Sequence, residues 1–240
     1  MNLLLTGTAG FIGNALALSL LADGHSVVGV DNLNDYYDPA LKRARLRRLP
    51  RSYVHHYADI TEPGALPDGE YDAVIHLAGQ AGVRHSIENP YAYIDANVTG
   101  FQRVLDFCDR NQVPRLLYAS SSSVYGHDAQ SPYSEVQRTD TPASLYAVTK
   151  KANEQMAHAY QRLHGLATVG MRFFTVYGPF GRPDMAPFKF VDRISRGLPI
   201  DLYNGGDHWR DFTHVDDIVA GVKLLLSAQD VQPVYNIASG

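Results

Sequence analysis

Leu3-Leu4-Leu5-Thr6-Gly7-Thr8-Ala9-Gly10-Phe11-Ile12-Gly13 decides the reading of this chain: an apolar run ends in glycines at three-residue spacing, and residues of helical period follow to Ala22. Gly7 and Gly10 permit a tight turn whose backbone N–H groups approach a pyrophosphate, and Gly13 lets the helix lie close against the strand. The helix N-terminus adds positive potential. Glycine spacing alone is a weak signal, since an ordinary strand-to-helix turn can match it. The strand before it and the helix over 11–22 supply the context of a dinucleotide cradle.

Asp23-Gly24-His25 stops that helix, and Ser26-Val27-Val28-Gly29-Val30-Asp31 reads as a second buried strand ending in an acid. A carboxylate there accepts hydrogen bonds from the adenosine ribose hydroxyls and repels a 2′-phosphate, which favours NAD over NADP; capping the next turn is its plainer role. Residues 53–57 and 73–77 read as the third and fourth strands, the latter running into Ala78-Gly79-Gln80-Ala81-Gly82, where small residues let the chain pass close to a ligand. A helix is expected over 90–110, a fifth strand over 115–119 delivering Ser120-Ser121-Ser122-Ser123 to the ligand crevice, and a sixth strand over 167–174. The glycine-, proline- and arginine-rich loop 175–185, a helix over 186–196 and a short strand around 200–203 precede a final helix and strand. The expected fold is α/β, a Rossmann-type doubly wound parallel sheet with a reduced C-terminal substrate lid. Residues 1–177 with 214–240 form the dinucleotide-binding domain and 178–213 the lid.

With 240 residues, 45% of them hydrophobic, the chain can bury a core without disulfides or metal. Its one cysteine, Cys108, lies in an apolar helical stretch and reads as a buried structural thiol. His55, His56 and His76 lack the neighbours of a metal site and read as structural; no metal is expected. The net charge of −4 argues against a nucleic-acid partner, and the basic cluster Lys42, Arg43, Arg45, Arg47 and Arg48 reads as a solvated helix face. Met1 leads directly into the first strand, with no leader or membrane segment, so a soluble cytoplasmic protein is expected.

The chemical centre is Tyr146-Ala147-Val148-Thr149-Lys150, at the start of a helix running to about 164. Residues four apart share a helix face, so the Lys150 ammonium can approach the Tyr146 phenol and favour its phenolate. That spacing is common by chance; a serine after the preceding strand and the dinucleotide cradle give it weight. Arg182 and Arg210 are candidate anion ligands, and Asp216 and Asp217 suit a helix N-terminus.

Glycine turn, serines, tyrosine and lysine together resemble the extended short-chain dehydrogenase/reductases of the NAD-dependent epimerase/dehydratase family, along the whole chain. Within that family the stretches 31–38, 76–86, 172–185 and 210–218 are most similar to the UDP-glucuronate 4-epimerases. The resemblance implies NAD held by Gly7, Gly10, Phe11, Ile12, Gly13, Asp31, Asn32, Asp59, Ile60, Leu77, Ala78, Gly79, Asn97, Tyr146 and Lys150. It implies catalysis by Tyr146, Lys150 and Ser121, and a UDP-sugar facing Ser122, Ser123, Thr175, Arg182 and Arg210. Related dehydratases carry an Asp-Glu pair, and decarboxylases a glutamate, where this chain has Ser122 and Ser123, which leaves epimerisation at C4. UDP-glucose 4-epimerase is the nearest alternative. The family usually continues beyond the last strand, so a shortened NAD-binding protein without turnover is the reading from another class. A homodimer through helices 90–110 and 144–164 is also implied.

Overall fold

In the computed structural model, which describes residues 1–207 and 209–239, the leucines of the opening strand go to opposite sides of a sheet. Strand β1 (Asn2–Thr6) lies between β2 (Ser26–Asp31) and β4 (Ala73–His76), parallel to both. Side chains alternate along a strand, so Leu3 and Leu5 enter one core with Leu16, Leu20, Ile218 and Val222, while Leu4 enters the other with Phe101, Val104, Leu105 and Ala157. Burial on both faces is what parallel strands require, and each fully buried leucine contributes about 1.5–3 kcal/mol.

The sheet is completed by β3 (Val54–Tyr57), β5 (Arg115–Ser121), β6 (Ala167–Phe173) and β9 (Val234–Ile237). Its order among the described residues is β3-β2-β1-β4-β5-β6-β9, parallel throughout. Helices α1 (Phe11–Ala22) and α8 (Val215–Ser227) cover one face, α5 (Gly100–Arg110) and α6 (Leu145–His164) the other. The crossover directions reverse between β1 and β4, which opens a crevice at the carboxyl ends of the strands. The doubly wound parallel sheet expected from the sequence is therefore present. Cys108 is buried, and that burial pushes its thiol up to about 12.

Several local readings change. The helix expected over 90–110 is broken into α4 (Pro90–Tyr93), a π-helical segment Ile94–Thr99, and α5. Asn153 donates to the Asn97 carbonyl within that segment (2.6 Å), and Asn97 makes further side-chain bonds, so tertiary hydrogen bonds override the helical period. The loop after β6 contains β7 (Thr175–Tyr177), which pairs in parallel with β8 (Phe212–His214). No strand forms at 200–203; a 3₁₀ turn occupies Tyr203–Gly206 instead. The basic cluster is not one solvated face. On α2 (Pro39–Leu46), Lys42 and Arg45 are buried and Arg43 is exposed, as are Arg47 and Arg48 just beyond it. Distant backbone carbonyls recruit Arg45, an outcome helical spacing cannot show. Helix α7 (Ala186–Ser195) buries no residue and leaves Phe188, Val191 and Ile194 exposed.

Candidate active site

The glycine turn is built by close approach of two strand ends. Gly7 has φ +80°, its N–H donates to the Val30 carbonyl (2.8 Å), and a Cβ there would sit 2.7 Å from the Ala78 nitrogen. A Cβ on Gly13 would collide with the Gly7 carbonyl oxygen, so α1 can rest on the turn only with glycine at that position. No side chain caps the N-terminus of α1, where Phe11 and Ile12 begin the helix. Asp31, at the end of β2, accepts from the Ala9 N–H (3.0 Å) and the Leu33 N–H (2.9 Å). It thus caps its own turn and also aligns the glycine turn, and each oxygen retains a lone pair for another donor.

Beside it, Asn32 donates to Asp59 (2.7 Å), which also receives the Thr61 N–H and hydroxyl. Burial raises the Asp59 pKa, but these hydrogen bonds outweigh it and hold the carboxyl below its ordinary value. Ile60 is buried next to it.

At the end of β4 the Thr6 hydroxyl meets His76 Nδ1 (2.8 Å) and accepts from the Ala78 N–H (3.2 Å), fixing the chain where Leu77, Ala78 and Gly79 leave the sheet. Burial, with the Lys150 charge added, pushes His76 down to about 3, so it stays neutral and structural. Asn97 accepts from the Gln80 N–H (2.8 Å) and donates to the Gln80 carbonyl and the Thr149 hydroxyl (both 3.0 Å). It therefore ties the loop after β4 to α6. A Cβ on Gly79 would lie 2.8 Å from the Asn97 amide oxygen and 3.6 Å from Lys150 Nζ.

Helix α6 starts at a Ser144 cap, whose hydroxyl accepts from the Ala147 N–H (3.1 Å), and this places Tyr146 and Lys150 one turn apart over β5. The Lys150 ammonium donates to the Ala119 carbonyl (3.0 Å), and burial lowers its pKa to about 8. Burial raises the Tyr146 phenol; a hydrogen bond with Ser121 and the positive charge of Arg182 oppose it. The ammonium is thus held by a strand carbonyl, one helical turn from the phenol. Ser121 also caps the 3₁₀ turn Ser122–Tyr125 by accepting from the Ser123 N–H (3.2 Å), leaving Ser122 and Ser123 partly exposed.

Arg182 is held bidentately by Asp184, Nε to Oδ1 at 3.0 Å and Nη2 to Oδ2 at 2.5 Å. Thr175 begins β7, and its N–H donates to the Asp211 carbonyl (3.3 Å). Arg210 is exposed, with its guanidinium on the Trp209 carbonyl (2.7 Å), and does not join the Tyr146, Ser121 and Arg182 group. No group of histidine, cysteine and acidic residues suited to a metal ion occurs among the described residues.

Residues 3–238 match the model of the NAD dependent epimerase/dehydratase family. The chain belongs to this family. Among curated relatives of this epimerase/dehydratase chain, Protein CapI of Staphylococcus aureus is 49% identical over 94% of the chain and 69% of its own length. UDP-glucuronate 4-epimerase 3 of Arabidopsis thaliana is 48% identical over 92% of the chain, which spans 53% of that protein. Among solved structures, UDP-glucuronic acid 4-epimerase from Bacillus cereus, in complex with UDP-glucuronic acid and NAD, aligns with a TM-score of 0.92 at 31% identity, covering 100% of this chain and 78% of that one.

Two features of this family member escape a sequence reading. Ser120 does not face the crevice; its hydroxyl donates to Glu154 (2.7 Å), which pairs bidentately with Arg172 (2.8 and 2.9 Å) inside the protein. Arg172 also donates to the Tyr125 hydroxyl (2.9 Å), which donates to Asn236 (2.7 Å). The available signals were an arginine inside an otherwise apolar strand, which needs a counter-charge, and a glutamate one turn beyond Lys150. The second feature is Arg45, whose backbone partners carry no sequence signature.

Proposed function

We propose that the chain is an NAD-dependent isomerase that inverts C4 of a UDP-sugar, converting UDP-glucuronate to UDP-galacturonate through a 4-keto intermediate. The observation that carries this is the placement of Tyr146 and Lys150 one turn apart at the start of α6, packed on the end of β5 that bears Ser121. The uncapped α1 N-terminus, the cradle that a Cβ on Gly7 would fill, and the Asp31 carboxylate fit NAD, with Asn32, Asp59, Ile60, Leu77, Ala78, Gly79, Asn97 and Lys150 lining the rest. Bound NAD supplies reversible hydride storage at the reacting carbon.

Tyr146, as its phenolate, takes the proton of the C4 hydroxyl and becomes the phenol, Ser121 steadies that oxygen, and the buried Lys150 ammonium one turn below favours the phenolate. In a 4-keto glucuronate the carboxylate is β to the ketone, and carbon dioxide is lost when the C5–carboxylate bond stands perpendicular to the carbonyl plane. Arg182, with Thr175, Ser122 and Ser123, holds that bond away from perpendicular, with 178–213 as the substrate lid and Arg210 toward the nucleotide. The chain acts in the cytoplasm as a homodimer through 90–110 and 144–164, where Tyr91, Val148 and Leu163 are exposed. Among the described residues no helix is long and apolar enough to cross a membrane.

The engagement of Arg182 by Asp184 favours one second reading, a 4-epimerase of the uncharged UDP-glucose, because the arginine already has a carboxylate. Incubation with UDP-glucuronate, followed by NMR with a Tyr146→Phe control, tests the proposal. Tyr146-dependent UDP-galacturonate is expected. Turnover of UDP-glucose alone selects the second reading, a UDP-pentose overturns the role of Arg182, and bound NAD without product leaves a dinucleotide-binding protein without turnover.

A further inference from the structure

The stretch Asn32-Leu33-Asn34-Asp35-Tyr36-Tyr37-Asp38 after β2 is one of the four that resemble the UDP-glucuronate 4-epimerases, yet hydride and proton transfer do not need Tyr36 or Tyr37. The structure brings this stretch to the loop that carries Arg182. The Tyr36 hydroxyl donates to Asp184 Oδ2 (3.1 Å), the same oxygen that Arg182 Nη2 meets. Burial, with the Asp184 charge added, pushes the Tyr36 phenol up to about 12, so it remains a donor at neutral pH. Its ring lies 4.9 Å from that of His85, centroid to centroid, and a Cβ on Gly82 would collide with its hydroxyl, so the loop after β4 fixes the ring in place. Arg45 anchors the other end of the loop. Its guanidinium donates to the carbonyls of Phe180 (2.8 Å) and Gly181 (3.2 Å), to the Ala9 carbonyl of the glycine turn (3.1 Å), and to the Tyr37 hydroxyl (2.5 Å).

We propose that Tyr36 and Asp184 form a latch that positions Arg182 for a carboxylate on the sugar and so decides that a uronate is taken and that its carboxylate is kept. Two elements meet at Asp184: the segment after β2, through the Tyr36 hydroxyl, and the lid loop, through the Arg182 guanidinium. A free arginine side chain samples many rotamers, and a carboxylate held from behind by a phenol leaves one. With Nε and one terminal nitrogen on Asp184, the other terminal nitrogen keeps its donors for the sugar carboxylate. Asp184 also limits the pull of Arg182, because a second carboxylate must share the charge. Tyr36 and Asp184 are therefore positioning residues that act through Arg182. The inference rests on the uronate reading of the site.

The test is a comparison of Tyr36→Phe, Arg182→Ala and the double variant, each measured with UDP-glucuronate and UDP-glucose for binding and turnover and for the share of pentose product. Phenylalanine keeps the ring packing and removes only the hydroxyl. A hydrogen bond to a charged group governs on the order of tenfold or more in binding. Tyr36→Phe is accordingly expected to reduce the preference for UDP-glucuronate over UDP-glucose by about that factor, and to raise the pentose share. In the Arg182→Ala background it should change neither. Asp184→Asn, which keeps the shape and an acceptor oxygen, should restore part of the preference that Asp184→Ala loses. A Tyr36→Phe preference and product ratio equal to those of the unsubstituted protein would overturn the latch, as would equal effects with and without Arg182. The unsubstituted protein separates the two ideas: failure to prefer UDP-glucuronate in binding overturns the uronate reading and the latch with it, whereas a preference insensitive to Tyr36 overturns the latch alone.

Discussion

Replacing Glu154 with alanine removes the counter-charge of Arg172, whose side chain is 4% exposed against 5% for Glu154. The guanidinium then keeps only the Tyr125 hydroxyl and a long contact to the Glu135 carbonyl (3.5 Å), and the Ser120 hydroxyl loses its acceptor. Breaking a buried pair by removing one partner costs about 3–5 kcal/mol. At roughly 2–4 °C per kcal/mol for a domain of this size, the melting temperature should fall by about 6–20 °C. Urea and thermal unfolding at pH 7 measure this. Replacing both partners with apolar residues, Glu154→Leu with Arg172→Met, should recover most of the loss, because no unpaired charge remains. The pH dependence follows in sign. Burial raises the Glu154 pKa, but hydrogen bonds and charge from Arg172, with Ser120 and Lys151, outweigh it and hold it below 4.5. Its stabilisation is therefore full above that unfolded value and is lost as pH falls through the lower folded one, so the gap between Glu154→Ala and the unsubstituted protein should close in acid. A loss below about 1 kcal/mol at pH 7, or a double variant as unstable as the single one, would refute the reasoning.

Arg45→Ala should cost about 2–4 kcal/mol, since it leaves the Phe180, Gly181 and Ala9 carbonyls without their charged donor. Limited proteolysis should then cut first within 178–185, and cleavage elsewhere would contradict the anchoring role. Lys150→Met should stabilise the ligand-free protein at pH 7 while abolishing turnover, because the lysine pKa is lowered by burial from 10.5 to about 8. The folded chain releases that proton first, so the penalty is present below pH 8 and fades as pH rises toward 10.5; denaturant unfolding at pH 7 and pH 10 checks this, and an unchanged gap between the two would sink it.

The glycine turn and the acid at the end of β2 were legible because their residues are constrained locally. Gly7 and Gly13 are required by close backbone approach, and Asp31 follows from its place at a strand end. Tyr146 and Lys150 share a helix face by spacing alone. Charge placement was not legible. The segment 42–48 carries similar basic side chains, yet Arg45 is buried and Arg47 exposed, because carbonyls more than a hundred residues away in sequence capture only one of them. Likewise the four consecutive serines are chemically alike, but Ser120 is buried and turns to Glu154, while Ser121 at the strand end accepts from the Ser123 N–H and caps the 3₁₀ turn.

By itself, then, the amino-acid order determined the parallel doubly wound sheet, the glycine turn and the tyrosine–lysine pair, all of which follow from hydrophobic period, turn geometry and helical spacing among near neighbours. Only the tertiary structure decided which carbonyl takes the Lys150 ammonium, which arginines lie inside, and how Tyr36 reaches Asp184. Those outcomes depend on which distant donors and acceptors meet once the core has closed, and a buried charge takes the partner that the packed chain presents to it.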